Sequence, residues 1–219
     1  ASGYTADRAL RPIRAPRWLP TPARRRARHA VAEMRRVTAD ILHACRADPD
    51  RDAPLVRALM EARDPETGQG LSDDDICDDL LIFMLAGHDT TATALTYALW
   101  VLGHHPDIQR RVAAEATALG DRELEPSDVP RLSYTTQVLH EALRLCPPAA
   151  GVGRLAVRDI DVGGFRVEAG TLVAVGIYAL HRDPDIWPDP ERFDPDRFSP
   201  ERMDEIPEYA WMPFGHGAR

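Results

Sequence analysis

A run of polar residues lies inside the most apolar stretch of the sequence. The segment LAGHDTTATA, residues 85–94, directly follows LLIFM. Gly, Asp and Thr weaken a helix, and burying an unpaired carboxylate is costly. Asp89 beside the hydroxyl of Thr90 in an apolar wall could relay protons, and Gly87 would let a ligand approach the backbone. Threonine hydroxyls can also bond carbonyls and open a groove or π-bulge. The alternative is a kinked core helix whose Asp is satisfied by hydrogen bonds.

Two further patterns could contribute to a site: one contains charged residues at helical spacing, and the other contains closely spaced glycines. Glu141 and Arg144 stand at i and i+3, so they share one face of a predicted helix, and the later motif PERF contributes Arg192. An exposed ion pair of little energetic consequence is the alternative. In FGHGAR, residues 214–219, glycines flank His216, which predicts a tight turn against a flat or bulky group. An ordinary surface turn is the alternative for that segment.

One glycine motif suggests a different class of enzyme. GVGRLA, residues 151–156, matches the G-x-G-x-x-A pattern of dinucleotide-binding proteins. That fingerprint needs a strand before it and a helix after it. Here a helix and two prolines precede the motif and a strand follows it. The pattern therefore disfavours a nucleotide-dependent oxidoreductase, which remains a rival that would bind NAD(P)H.

Composition excludes several function classes. The 219 residues are 44% hydrophobic and 28% charged, with a net charge of -8, which argues against a nucleic-acid partner. Every basic residue is Arg, so a Schiff-base lysine and a phosphate-loop lysine are excluded within this chain. Cys45, Cys77 and Cys146 form no C-x-x-C pair, which favours a reducing compartment. With no apolar signal core and no run near the roughly 20 residues of a membrane span, we expect a cytoplasmic protein without a transmembrane segment.

Hydrophobic periodicity predicts the elements that position these residues. Ser72 and Asp75 form a predicted capping box at the start of a helix over residues 72–103, about 48 Å long at 1.5 Å per residue. Other helices are predicted over residues 23–46, 53–63, 106–119 and 132–145. After Pro148 the sequence predicts short strands with a hairpin at Gly163 and Gly164, followed by a Pro-rich aromatic meander. The fold class is therefore mainly α with a small β part.

Four motifs together resemble the cytochrome P-450 family of haem-thiolate monooxygenases. AGHDTT resembles its oxygen-activation motif, Glu141 and Arg144 its E-x-x-R pair, PERF its second arginine motif, and FGHGAR the first part of F-x-x-G-x-R-x-C-x-G. The resemblance implies the C-terminal half of a P-450-like fold. It implies one partial domain, residues 1–219, with helices leading into the core (1–71), the oxygen-activation helix (72–103), further helices including E-x-x-R (104–148), short strands (149–183), and the meander with the start of the haem-binding loop (184–219).

The resemblance also implies roles for individual residues. The expected catalytic residues of the polar run are Ala86, Gly87, Asp89, Thr90 and Thr91. The expected structural Glu-Arg-Arg cluster is Glu141, Arg144 and Arg192. The expected cofactor-binding residues are Arg219, Phe214, Gly215 and Gly217, with Arg154 added because family members often place a basic residue at the start of that strand. The axial cysteine would lie two positions after Arg219, so we expect no metal ligand within this chain.

The implied activity is hydroxylation of a lipophilic small molecule with O₂. The resemblance implies haem b as cofactor and electrons that come ultimately from NAD(P)H through a ferredoxin or flavin reductase in a bacterial cell. Because the axial ligand is expected past the last residue, we expect an internal fragment that is inactive by itself. The alternative is a truncated, haem-free fragment or an interaction module.

Overall fold

A computed structural model describes residues 21–217 of the chain. Its helices are α1 (Pro22–Ala47), α2 (Pro54–Glu61), α3 (Asp73–His104), α4 (Pro106–Thr117), α5 (Ser133–Leu145) and α6 (Ile177–Leu180). Its strands are β1 (Val152–Leu155), β2 (Ile160–Val162), β3 (Phe165–Val167) and β4 (Leu172–Val175). Short 3-10 turns lie at Pro126–Arg131, Pro195–Phe198 and Met203–Glu205. The predicted mainly α class with a small β part is confirmed.

The chain divides into two compact units, one ending at His88 and the other beginning at Asp89. In the first unit α1 begins at Pro22, where the side chain of Thr21 accepts a hydrogen bond from the amide of Arg24. The apolar core of this unit joins α1, α2 and the start of α3. Its buried members are Leu42, Cys45, Val56, Ile76 and Leu80.

Helix α3 carries the polar run and contains the boundary between the two units. The predicted capping box is present: the Asp75 amide donates to Ser72 Oγ at 3.2 Å, and the Ser72 amide donates to Asp75 Oδ2 at 3.2 Å. Three aspartates in the first turn add a favourable interaction with the helix dipole. The helix remains α-helical through all 32 residues, so the polar run opens no π-bulge.

In the second unit α3, α4 and α5 share an apolar core. Ala98, Val101, Ile108, Val138 and Leu145 are among its buried members. The amino terminus of α5 is capped from α4 instead of by its own flanking residue, because Glu115 accepts hydrogen bonds from the amides of Tyr134 and Thr135, both at 2.8 Å. This contact fixes the end of the helix that carries Glu141 and Arg144.

The strands form two small antiparallel pairs after α5. β1 pairs with β4, with Val152 opposite Val175 and Leu155 opposite Leu172. β2 and β3 form the predicted hairpin, whose turn residues Gly163 and Gly164 have φ of 58° and 82°. Two consecutive positive φ values suit a tight hairpin turn, which explains the paired glycines.

No helix within residues 21–217 contains an apolar stretch long enough to cross a membrane.

Candidate functional site

The second unit contains an apolar cavity of about 370 Å³. Its wall comes from α3, α5, the segment that follows α5, the first residue of β1 and the segment before Gly215. The lining residues are Thr90, Thr91, Ala94, Leu95, Leu139, Ala142, Leu143, Pro148, Ala149, Val152, Pro213 and Phe214. Among residues 21–217, the polar side chains in that wall are those of the two threonines. The cavity therefore suits an apolar ligand that meets hydroxyl groups on one side.

The polar run of α3 divides between two sides of the helix. Thr90 and Thr91 line the apolar cavity, whereas Asp89 and Thr93 line a second, more open cavity with Tyr97. Consecutive helical residues are about 100° apart, so neighbours in sequence point to different surroundings. Thr93 Oγ1 donates to the Asp89 carbonyl at 2.8 Å, which satisfies that hydroxyl within the helix. Asp89 and Thr90 thus line different cavities on two sides of α3.

Ala86 and Gly87 belong to the first unit and are exposed on α3. A Cβ atom added to Gly87 would meet no atom within 4 Å, so the backbone there is open to approach. The role expected for Gly87 in the approach of a ligand stays a prediction.

A fully buried ion pair lies on α5, as the E-x-x-R spacing predicted. Arg144 Nε donates to Glu141 Oε2 at 2.6 Å and Arg144 Nη2 donates to Glu141 Oε1 at 2.8 Å, with both side chains at 0% exposure. Burial raises the pKa of the Glu141 carboxyl, and the hydrogen bonds and charge of Arg144 oppose that shift. The alternative of an exposed surface pair is therefore wrong.

The guanidinium of Arg144 also holds the meander. Its Nη1 donates to the carbonyls of His181 at 2.7 Å and Pro190 at 2.8 Å, and its Nη2 donates to the carbonyl of Arg192 at 3.2 Å. Together with the two bonds to Glu141, these contacts use all five N–H groups of the side chain. A lysine could not replace it, because lysine has three donors at one point.

The second arginine of the cluster is Arg197, and the prediction of Arg192 for that role is wrong. Arg197 is 5% exposed, its Nε lies 3.5 Å from Glu141 Oε1, and its Nη2 donates to the Asp189 carbonyl at 3.0 Å. Arg192 contributes its backbone carbonyl only, and its side chain is exposed. The sequence contains the P-x-R-F pattern twice, as PERF and PDRF. Both copies have the same local spacing, so only the folded chain distinguishes them.

Sequence reasoning missed His181, which is completely buried. Its Nε2 accepts a hydrogen bond from the amide of Met212 at 2.9 Å, and its Nδ1 lies 3.2 Å from the carbonyl of Arg144. Burial lowers the pKa of this imidazole to about 4. A single histidine at the end of the four-residue helix α6 has no distinctive spacing, so no sequence signal singled it out.

The predicted turn around His216 is present. Gly215 and Gly217 have φ of 73° and 102°, and the Gly215 amide donates to the Met212 carbonyl at 2.9 Å. Phe214 is 84% exposed and borders the apolar cavity. Because side chains other than glycine are strained at such φ values, the turn explains both glycines.

Of the two arginines predicted to bind the cofactor, Arg154 lies within the described residues and Arg219 does not. Arg154 is exposed on β1, and its Nη1 donates to the Gly153 carbonyl at 3.1 Å. Arg219 lies outside the described residues, so its prediction stays a prediction. Over residues 21–217, His, Cys, Asp and Glu form no group of three that could hold a metal ion.

Comparisons with known proteins identify relatives of this chain. The cytochrome P450 family model matches residues 5–219. Cyclooctat-9-en-7-ol 5-monooxygenase of Streptomyces melanosporofaciens is 37% identical over 212 residues, which are 96% of this chain and 46% of that protein. Cyclooctatin synthase of the same organism is 39% identical over 203 residues, which are 92% of this chain and 44% of that protein.

Solved structures give the same result for the fold. The retinoic-acid-bound cyanobacterial CYP120A1 matches with a TM-score of 0.82 and 36% identity, over 91% of this chain and 46% of that one. The chain thus spans slightly less than half the length of these three relatives. The family match covers residues 5–219, and the structural match covers 91% of this chain at 36% identity. The chain therefore belongs to the cytochrome P450 family.

Proposed function

We propose that this chain is part of a haem-dependent monooxygenase that hydroxylates a lipophilic small molecule with O₂. The observation that carries the proposal is the apolar cavity, whose polar lining, within the part of the chain that the structure describes, consists of Thr90 and Thr91. A C–H bond has no polar handle, so its oxidation needs an apolar site with few hydroxyl groups to manage protons. Family membership supports the same activity.

The residues around the cavity fit a flat, largely apolar cofactor such as haem b. Phe214 and Pro213 border the cavity. The positive φ of Gly215 and Gly217 favours glycine, which has no side chain, so the loop backbone is bare at those two points. A Cβ atom on Gly217 would meet nothing within 4 Å, which leaves room beside the backbone. We propose that this loop holds the haem and that Arg154 and Arg219 bind its propionates. When bound, the haem supplies the oxygen-activation chemistry.

The chain's own residues supply geometry and proton transfer. Thr90 places a hydroxyl at the cavity wall, where it can donate a proton and be reprotonated. Asp89 lines the second, more open cavity beside the same helix, and we propose that it exchanges protons with water there. Thr91 adds a second hydroxyl, and Ala86 and Gly87 keep the preceding turn small. The surrounding Leu and Val side chains give the cavity its apolar wall.

The cluster of Glu141, Arg144 and Arg197 has a structural role in this proposal. It is buried and fixes the meander through backbone carbonyls, and none of its three residues lines the apolar cavity. Removing one partner of such a buried pair would leave an uncompensated charge. We therefore assign the cluster to folding of the meander and the loop, and not to the reaction.

Substrate and electron source are proposed from chemistry and from relatives. The wall of the cavity favours a lipophilic substrate. One relative is named for cyclooctat-9-en-7-ol, and one solved structure contains retinoic acid. We propose a ligand of that general class. We further propose that electrons come ultimately from NAD(P)H through a ferredoxin or flavin reductase, in the cytoplasm of a bacterium.

The test uses the complete product of the gene, expressed with haem supply. We expect haem uptake and a thiolate-type spectrum of the ferrous carbon monoxide complex. Thr90→Ala is expected to raise the O₂ consumed per product formed about tenfold, in keeping with loss of a general acid. Thr93→Ala is the matched control, because it removes the same hydroxyl group from a side chain that lines the other cavity. A protein that folds without haem would favour the interaction-module alternative, and equal coupling in both variants would remove the relay role of Thr90.

A further inference from the structure

His181 joins the end of α5 to the segment that forms the cavity loop. Its imidazole is completely buried and makes contacts on both sides. Nε2 accepts from the Met212 amide at 2.9 Å, and Nδ1 lies 3.2 Å from the Arg144 carbonyl. The partners are 31 and 37 residues away in sequence, so the ring bridges segments that are distant along the chain.

The two contacts determine which nitrogen carries the proton. An amide can only donate, so Nε2 must be the acceptor for Met212 and cannot carry hydrogen. Nδ1 then carries the hydrogen and donates to the Arg144 carbonyl. Burial lowers the pKa of the ring to about 4, in agreement with a neutral imidazole near neutral pH. Both nitrogens are therefore satisfied in one tautomer.

The His181 backbone extends the bridge in the opposite direction. Its carbonyl accepts from Arg144 Nη1 at 2.7 Å, so residues 144 and 181 each bond the backbone of the other with a side chain. On the far side, the Met212 carbonyl accepts from the Gly215 amide at 2.9 Å. Met212 is thus held by its amide to His181 and by its carbonyl to the turn.

We propose that His181 is a positioning residue that places the cavity loop through the hydrogen bond from the Met212 amide to its Nε2. The residues between the two bonds of Met212 and Gly215 are Pro213 and Phe214, both of which line the cavity. The proposal rests on the proposed function only in taking this loop as the haem-holding loop. The rival explanation is that His181 fills space in the core and that neither hydrogen bond matters more than the other.

Two substitutions separate the two hydrogen bonds of the ring. In His181→Gln the amide oxygen reaches the position of Nε2 and can accept from Met212, with the Nδ1 donor lost. In His181→Asn the amide nitrogen reaches the position of Nδ1 and can donate to the Arg144 carbonyl, with the Nε2 acceptor lost. Both variants bury one neutral polar group of similar chemistry, so each is the matched control for the other.

The experiment measures hydrogen exchange of the Met212 amide in the complete gene product and the rate of haem release. In His181→Asn we expect Met212 exchange about tenfold faster than in the unchanged protein, the scale of one lost buried hydrogen bond, and haem release faster by a similar factor. In His181→Gln we expect both rates to stay within about threefold of the unchanged protein. Urea midpoints measured alongside report general destabilisation.

The outcomes separate this inference from the proposed function. Equal changes in both variants, or loss of folding in the Gln variant, would overturn the positioning role. Unchanged Met212 exchange in His181→Asn would overturn it as well. If the unchanged protein takes up no haem, the proposed function fails, while Met212 exchange in the haem-free protein still decides whether His181 holds the loop.

Discussion

Replacing Arg197 by Leu should destabilise the protein far more than the same change at Arg192. Arg197 is 5% exposed, donates to the Asp189 carbonyl at 3.0 Å and lies 3.5 Å from Glu141 Oε1. Arg192 has an exposed side chain, and its contribution to the network is a backbone carbonyl that the substitution leaves in place. The pair of variants removes the same functional group at two positions of the same P-x-R-F pattern.

The expected magnitude follows from what Arg197 leaves behind. A lost hydrogen bond from a charged donor costs about 1.5–3 kcal/mol. A buried charge left with no partner costs about 3–5 kcal/mol, but Glu141 keeps two bonds from Arg144 and one from the Asp194 amide. We therefore expect Arg197→Leu to lower the free energy of unfolding by roughly 2–4 kcal/mol. Arg192→Leu should change it by no more than about 0.5 kcal/mol, as at other exposed positions.

Urea unfolding of the complete gene product measures the free energy of unfolding of both variants. The two are compared with the same dependence of that free energy on urea concentration. Haem content after purification gives an independent measure of the meander's integrity. The reasoning is refuted if Arg192→Leu costs as much as Arg197→Leu. It is also refuted if Arg197→Leu leaves the unfolding midpoint unchanged.

Two further predictions concern stability. Burial lowers the pKa of His181 to about 4, whereas a histidine in the unfolded chain has a pKa near 6.5. Between these two pH values the unfolded state therefore binds more protons than the folded state. The free energy of unfolding should fall by roughly 3 kcal/mol as the pH drops from about 6.5 to 4. His181→Gln should remove that component from the pH dependence of the urea midpoint, and an unaltered pH dependence would contradict it. Glu115→Ala removes the cap of α5 and should lower the free energy of unfolding by about 1–2 kcal/mol, whereas exposed Glu123→Ala should have little effect. Equal unfolding midpoints for these two variants would exclude the cap's contribution.

Local features of the fold could be predicted because their causes lie within a few residues. The capping box of Ser72 and Asp75 fixes the start of α3, and the i and i+3 spacing places Glu141 and Arg144 on one face of α5. The paired glycines of the β2–β3 hairpin adopt positive φ, as do those around His216. Sequence alone also supported the family resemblance, through four motifs in order.

The tertiary structure alone decided three features of the candidate site. It selected Arg197 over Arg192, placed Thr90 and Asp89 in the walls of two different cavities, and brought His181 between Arg144 and Met212. Each depends on contacts between residues far apart in sequence, such as the 56 positions between Glu141 and Arg197 (197 − 141). Sequence periodicity determines which residues share a face of a helix. Which face is buried, and against which partner, depends on how the distant segments pack.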